Sequence, residues 1–160
     1  MEASRAREAY LQPSRLTPGE FGGMASAAVL VVSLFLPWFS TSGNGEINSA
    51  TGDFNAWDTF GTLDWLMVAA ATAPFILSWI IARGHKLTWA PGEVTMIVGI
   101  TAAVLILCNG LILGKPGGPD SEISFGIGWF VALGASLGLA VCGYLRQAIY
   151  TPGRRPPGSL

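Results

Sequence analysis

The chain has 160 residues, of which 51% are hydrophobic and only 12% are charged, and its formal net charge is -1. The charged share is about half that of a typical soluble domain, which indicates an integral membrane protein of one domain. The near-neutral charge gives no support for a nucleic-acid partner. One histidine and two cysteines, without a CxxC spacing, predict neither a metal site nor a disulfide framework.

Four apolar stretches divide the sequence. A helix needs about 20 apolar residues to cross the hydrocarbon core of a bilayer. The stretches that meet this need are predicted as spans at about residues 21–39, 63–82, 94–113 and 125–145. We therefore predict an all-α membrane protein, a four-transmembrane-helix bundle over residues 18–146. A cytoplasmic segment, residues 1–17, precedes it, and a disordered cytoplasmic tail, residues 147–160, follows.

The first span is preceded by a helix-start signal, Thr17-Pro18-Gly19-Glu20. Thr17 at the N-cap, Pro18 at N1 and Glu20 at N3 have the spacing of a capping box. The span is then predicted over Phe21–Phe39, with Trp38 near the membrane interface, where tryptophan is enriched. The long polar lead, without an A-x-A site after the apolar run, predicts a retained anchor rather than a cleaved signal peptide.

The stretch Ser40–Thr62 is the longest predicted loop, and its glycines and asparagines are typical of turns. Its later part, Asn55–Phe60, is predicted as a short interfacial helix. Thr62 is predicted to cap the second span. Asp64 falls in the first turn of that span, where a negative charge complements the helix dipole, and Pro74 is expected to kink the helix.

The third span is predicted to start after Pro91-Gly92-Glu93, which repeats the Pro18-Gly19-Glu20 pattern. One stripe of this span carries residues that are small, polar or suited to packing: Thr95, Gly99, Ala102, Ile106 and Asn109. Ser124 is predicted to cap the fourth span.

The fourth span has a face of large residues and a face of small ones. The small face is expected to pack against the other helices, because small residues let helix backbones approach closely in lipid. Gly134 and Gly138 form a GxxxG pattern within it. A homo-oligomer contact and a chance pattern remain alternatives. The residues predicted for helix packing are Gly99, Gly128, Gly134 and Gly138.

Basic residues predict the topology. Lys115 is expected on one side of the membrane. The other eight are expected together on the opposite side: Arg5, Arg7, Arg15, Arg83, Lys86, Arg146, Arg154 and Arg155. The positive-inside rule then places both termini in the cytoplasm, in a bacterial-type plasma membrane. Cys108 and Cys142 would lie at depths about 15 Å apart, whereas disulfide Cα atoms lie within about 7 Å. We predict two free thiols.

Few polar residues are candidates for a site. Asp64, Asn109, Asp58 and Asp53 are predicted to lie toward the outer side, where they could form an outward polar pocket. The alternative is a dipole partner at Asp64 and one interhelical hydrogen bond at Asn109. Patterns such as HExxH, GxSxG and the phosphate loop do not occur, so we expect no enzymatic activity and no cofactor.

The segments Ser33–Phe39, Ala56-Trp57, Leu63-Asp64 and Gly126–Trp129 resemble those of uncharacterised small four-span membrane proteins of actinobacterial type. The resemblance covers about Phe21–Arg146. It implies the four-span fold and the membrane setting. No activity is established for that group, so the resemblance implies no catalytic residues.

Together these features predict a non-enzymatic interaction or accessory subunit that acts through glycine-lined helix faces and an outward loop. Its expected partners are membrane lipid and other membrane protein subunits or a second copy. The alternative is transport or binding of an ion or small molecule at the outward pocket around Asp64 and Asn109.

Overall fold

The structure, a computed structural model, describes residues 16–42, 45–84, 90–117 and 122–150. The elements in these ranges, in chain order, are helix α1 (Pro18–Ser33), strand β1 (Pro37–Thr41), strand β2 (Asp53–Asn55), helix α2 (Ala56–Thr59), helix α3 (Thr62–Ala82), helix α4 (Pro91–Leu107) with a π-helical segment (Cys108–Ile112), strand β3 (Ile123–Phe125) and helix α5 (Ile127–Tyr150). Three of these helical stretches are long and apolar enough to cross a membrane: Thr62–Ala82, Gly92–Ile112 and Ile127–Ala148.

Helix α1 is shorter than the predicted span, since it ends at Ser33 rather than at Phe39. Proline has no N–H to donate and disfavours helical geometry in the residue before it, so Pro37 prevents further helix. Trp38, predicted near the membrane interface, is completely buried within the protein. Its indole Nε1 donates a hydrogen bond of 2.8 Å to the Ser33 carbonyl at the end of the helix. At 16 residues, α1 is about 24 Å long.

A three-stranded antiparallel sheet closes one end of the bundle, which we call the sheet end. Strand β1 is central and pairs with β2 on one side and β3 on the other. Phe39 lies opposite Phe54 in one pair and opposite Phe125 in the other. The sheet corrects the prediction of an all-α fold. Its strands have only three to five residues, and their pairing joins segments that are far apart in the sequence.

The other predicted boundaries are close to the observed ones. Helix α3 begins at Thr62 with Gly61 at its N-cap, so Thr62 is not the cap. Helix α4 begins at Pro91. Ser124 and Phe125 belong to β3, so α5 starts at Ile127. Helix α5 continues to Tyr150, into the predicted disordered tail. The remaining predictions for residues 1–15 and 151–160 lie outside the described residues.

Helix α5 packs between α1 and α4. Helix α1 runs antiparallel to α5, because Gly19 lies beside Arg146, Gly22 beside Cys142 and Ser26 beside Gly138. The large residues Phe130 and Val141 are more than half exposed. The small face, with Ala132, Ala135 and Ser136, is buried. This arrangement agrees with the predicted division of the fourth span.

Aromatic side chains connect the sheet to the helices. Rings of β1, β3, α5 and the end of α2 lie 4.6 to 5.9 Å apart from centroid to centroid, and two of these four pairs are edge to face. The chain of rings is Trp38, Phe60, Phe39, Phe125 and Trp129. Such pairs are stabilising beyond the burial of their area. The sheet end is therefore a packed aromatic layer.

Candidate functional site

The predicted packing glycines have two different environments. A Cβ atom at Gly99 would lie 2.4 Å from the Ala140 amide nitrogen, and one at Gly128 would lie 2.5 Å from the Trp38 ring. At Gly138 it would lie 2.8 Å from Ser26 Oγ. Gly99 and Gly138 thus lie at close contacts between helices of the same chain, and Gly128 lies where α5 meets β1. Gly134 instead is exposed, with no described neighbour within 4 Å of its position, so the GxxxG pattern does not form one contact face within the chain.

Two further glycines, Gly92 and Gly143, let α4 and α5 cross closely. They were not among the residues predicted for helix packing, although Gly143 belongs to the small face of the fourth span. A Cβ at Gly92 would lie 2.7 Å from the Gly143 carbonyl oxygen, and a Cβ at Gly143 would lie 2.4 Å from the Met96 amide nitrogen. The repeated Pro-Gly-Glu pattern was the available signal. Gly19 and Gly92, its two glycines, both contact the end of α5 near Arg146.

The four residues of the predicted outward pocket lie at the sheet end, but the described contacts do not join them. The Asn109 amide donates to the Leu105 carbonyl of its own helix, at 3.0 Å. Asp53 accepts a 2.5 Å hydrogen bond from Ser40 Oγ, and Asp58 and Asn55 cap each other's backbone amides at the start of α2.

Asp64 differs from these three. Its side chain is 1% exposed, and neither carboxylate oxygen accepts a hydrogen bond from a described residue. It lies on the buried stripe of α3, three residues before Met67. A buried ionisable group in a membrane helix is costly and is by default a candidate functional residue.

An apolar groove of about 310 Å³ lies between α3 and α4. Met67 and Ala102 are buried in its floor, whereas Leu66 and Ile97 line it with about half of their surface exposed. Ala69, Ala70 and other small or apolar side chains complete its walls: Val98, Thr101 and Leu105. The groove presents small residues at the centre of the two helices.

At the end opposite the sheet, a buried ion pair joins the first and last helices. Glu20 Oε1 lies 2.7 Å from Arg146 Nη2, and the two side chains are 4% and 17% exposed. Glu20 Oε2 accepts a hydrogen bond from the Thr17 backbone amide, as the predicted capping box requires, and a second one from the Thr17 hydroxyl. We call this end the ion-pair end.

The sequence analysis did not predict this pair, although it placed Glu20 and Arg146 at the same end of the bundle. Opposite charges at one membrane depth, each at the end of a span, were the signal that could have found it. Cys108 and Cys142 are free thiols, as predicted. Within the described ranges, no group of three histidine, cysteine or acidic side chains is arranged to hold a metal ion.

The comparisons with known proteins give no relative: no protein-family model matches the chain, and no curated protein matches it.

Proposed function

We propose that this protein is a non-enzymatic accessory subunit that binds a transmembrane helix of a partner protein in the groove between α3 and α4. The observation that carries the proposal is the open groove of about 310 Å³. Gly99, Gly128 and Gly138 are already occupied by contacts within the chain. The contact surface is therefore the groove rather than those glycine faces.

The proposal places all four long segments across a plasma membrane. Three helices have the length and composition for it. Helix α1 is shorter, but α1 and the start of β1 together contact α5 from Arg146 to Gly128, so this segment passes through the same depth. Arg83 and Arg146 lie at the ion-pair end, and Lys115 lies at the sheet end, which favours a cytoplasmic ion-pair end by the positive-inside rule.

The aromatic residues support the placement of the sheet end at a membrane interface. At the sheet end, Phe35 and Trp65 are about two thirds exposed, at 65% and 67%. Their rings flank Trp57 of α2 at centroid distances of 6.0 and 5.5 Å. Among these residues, the tryptophans have the amphipathic ring that is enriched at the level of the lipid headgroups. Helix α2 would then lie at the outer interface.

A partner helix fits the groove better than a polar ligand, because its floor and walls are apolar. Lipid chains are as apolar as the helices, so helix association in a membrane depends on close packing, which small residues permit. Ala69 and Thr101 are exposed at the edges of the groove, and Ala102 is buried beneath them. A helix backbone could approach this surface closely.

A second candidate function, the binding of an ion or small molecule near the outer side, rests on Asp64. Its buried carboxylate without a described hydrogen-bond donor is the observation that favours it. Asn109, Asp53 and Asp58 do not share contacts with it, so the ligand would depend on Asp64 rather than on the four-residue pocket.

Filling the groove tests the proposed function. In the parent chain, a photoreactive residue at position 98 should cross-link a defined partner. The double variant Ala69→Leu with Thr101→Leu should abolish this cross-link, while its expression and resistance to unfolding stay unchanged. Both substituted positions are exposed, so larger side chains can be accommodated when no partner is bound. The measurement is the mass and identity of the cross-linked species in native membranes.

The matched control is Ala28→Leu on the exposed side of α1, which should leave the cross-link intact. Cross-linking from position 98 only to lipid would contradict the proposal. Equal cross-linking of the partner by a photoreactive residue placed at position 28 instead of position 98 would also contradict it. A product of twice the chain mass would identify a second copy instead of a different partner. Loss of a cellular phenotype in Asp64→Asn, with the groove variants fully active, would favour the second candidate.

A further inference from the structure

A small cavity lies beside the ion pair, between α1, α3, α4 and α5. Its volume is about 10 Å³, which is close to the minimum for one water molecule. Glu20, Ser78, Thr95 and Arg146 bring polar atoms to its walls, and Pro74 lines it from α3. The cavity is separate from the groove proposed for a partner.

Ser78 is the residue of this cavity whose hydrogen bonding indicates a ligand. It is 4% exposed, and its hydroxyl has no hydrogen-bond partner among the described residues. A serine in a helix can usually bond to a carbonyl of the preceding turn, as Ser33 and Ser136 do with Leu30 and Ala132. Leaving a buried hydroxyl unpaired is unfavourable, so a ligand with hydrogen-bonding capacity is expected in the cavity.

Charge identifies the class of that ligand. A cation would lie beside the Arg146 guanidinium, and an anion would lie beside the Glu20 carboxylate, because both groups line the same cavity. Each ion would therefore meet one like charge at close range. A neutral molecule with donors and acceptors avoids this repulsion, and the volume admits only one of the size of water.

We propose that the cavity binds one water molecule that bridges Ser78 Oγ to Glu20 Oε1. Glu20 Oε1 is ion-paired with Arg146 but accepts no aligned hydrogen bond from a described residue, so it retains acceptor capacity. The bridge connects the part of α3 beyond Pro74 to α1 and, through the ion pair, to α5. It would hold the ion-pair end closed.

Two measurements on the full chain in bilayers test this site. In water-edited solid-state NMR, the Ser78 side-chain signals should appear at short mixing times, whereas those of Ser33, which is completely buried and bonded within its own helix, should not. In addition, Ser78→Ala should raise the unfolding equilibrium constant about two- to tenfold, because the water loses a partner. Ser33→Ala is the matched variant, because it removes a buried hydroxyl that bonds within its own helix rather than to the proposed water.

A cavity without bound water predicts no rise in the unfolding equilibrium constant. If no water is bound, Ser78→Ala removes an unpaired buried hydroxyl and leaves the unfolding equilibrium constant unchanged or lowers it. Ser78 signals as slow to appear as those of Ser33, or an alanine variant at least as stable as the parent, would overturn the proposal. Ser78→Ala removes one oxygen atom, so the variant is expected to fold in either case.

Discussion

Gly99→Ala is expected to destabilise the bundle by about 3 kcal/mol, at the upper end of overpacking effects. A methyl group at this position would lie 2.4 Å from the Ala140 amide nitrogen and 2.8 Å from the Ser136 carbonyl oxygen. Both neighbours are backbone atoms of α5, which cannot rotate away as a side chain can. The two helices must therefore separate. Reversible unfolding by denaturing detergent, followed by circular dichroism, measures the loss.

Gly134→Ala is the matched control, because it makes the same chemical change in α5 at an exposed position with no described neighbour within 4 Å. Its free energy of unfolding should change little, or rise by up to about 1 kcal/mol because alanine favours the helix. Equal losses in the two variants would contradict the assignment of Gly99 to the α4–α5 crossing.

Arg146→Met should cost about 3 kcal/mol of stability, because it leaves the Glu20 carboxylate buried without its cation. Methionine keeps the aliphatic part of the side chain that lies against Gly19. Removal of both charges in Glu20→Gln with Arg146→Met should restore at least half of the loss, since a neutral pair is cheaper to bury than a lone charge. The measurement is the same detergent unfolding.

Arg83→Met is the control for loss of a positive charge at the same end of the bundle. Arg83 is exposed, with its guanidinium 4.0 Å from the centroid of the Trp79 ring. Loss of an exposed cation–π contact is expected to cost less than about 1 kcal/mol. If this variant loses as much stability as Arg146→Met, or if the double variant is no more stable than Arg146→Met alone, the ion pair is not a specific stabilising contact.

The helices were the most predictable part of the fold, because their signals are local. The apolar run of α3 predicted its bounds to within one residue at its start and correctly at Ala82. The capping box at Thr17 and Glu20 is present. The small and large faces of the fourth span separate as predicted, because a 3.6-residue period assigns each side chain to one side of the helix.

The sheet could not be predicted from the same patterns. Pro37–Thr41 continues the apolar run of the first span, and its strand partners begin at Asp53 and Ile123. Three-residue strands carry too little alternation to be distinguished from loops. The described contacts do not join the residues of the predicted outward pocket. Asp53, Asp58 and Asn109 form hydrogen bonds with neighbours close in sequence or in the sheet, whereas the prediction had grouped them with Asp64 by depth alone.

Labelling of single cysteines in intact cells tests the membrane arrangement most directly. In a background with Cys108→Ala and Cys142→Ala, Glu46→Cys reports on the sheet end and Glu93→Cys on the ion-pair end, and both positions are exposed. An impermeant maleimide should modify Glu46→Cys in intact cells and Glu93→Cys only after permeabilisation. The reverse pattern, labelling of both sites from outside, or recovery of the chain in the aqueous fraction without detergent would contradict the account.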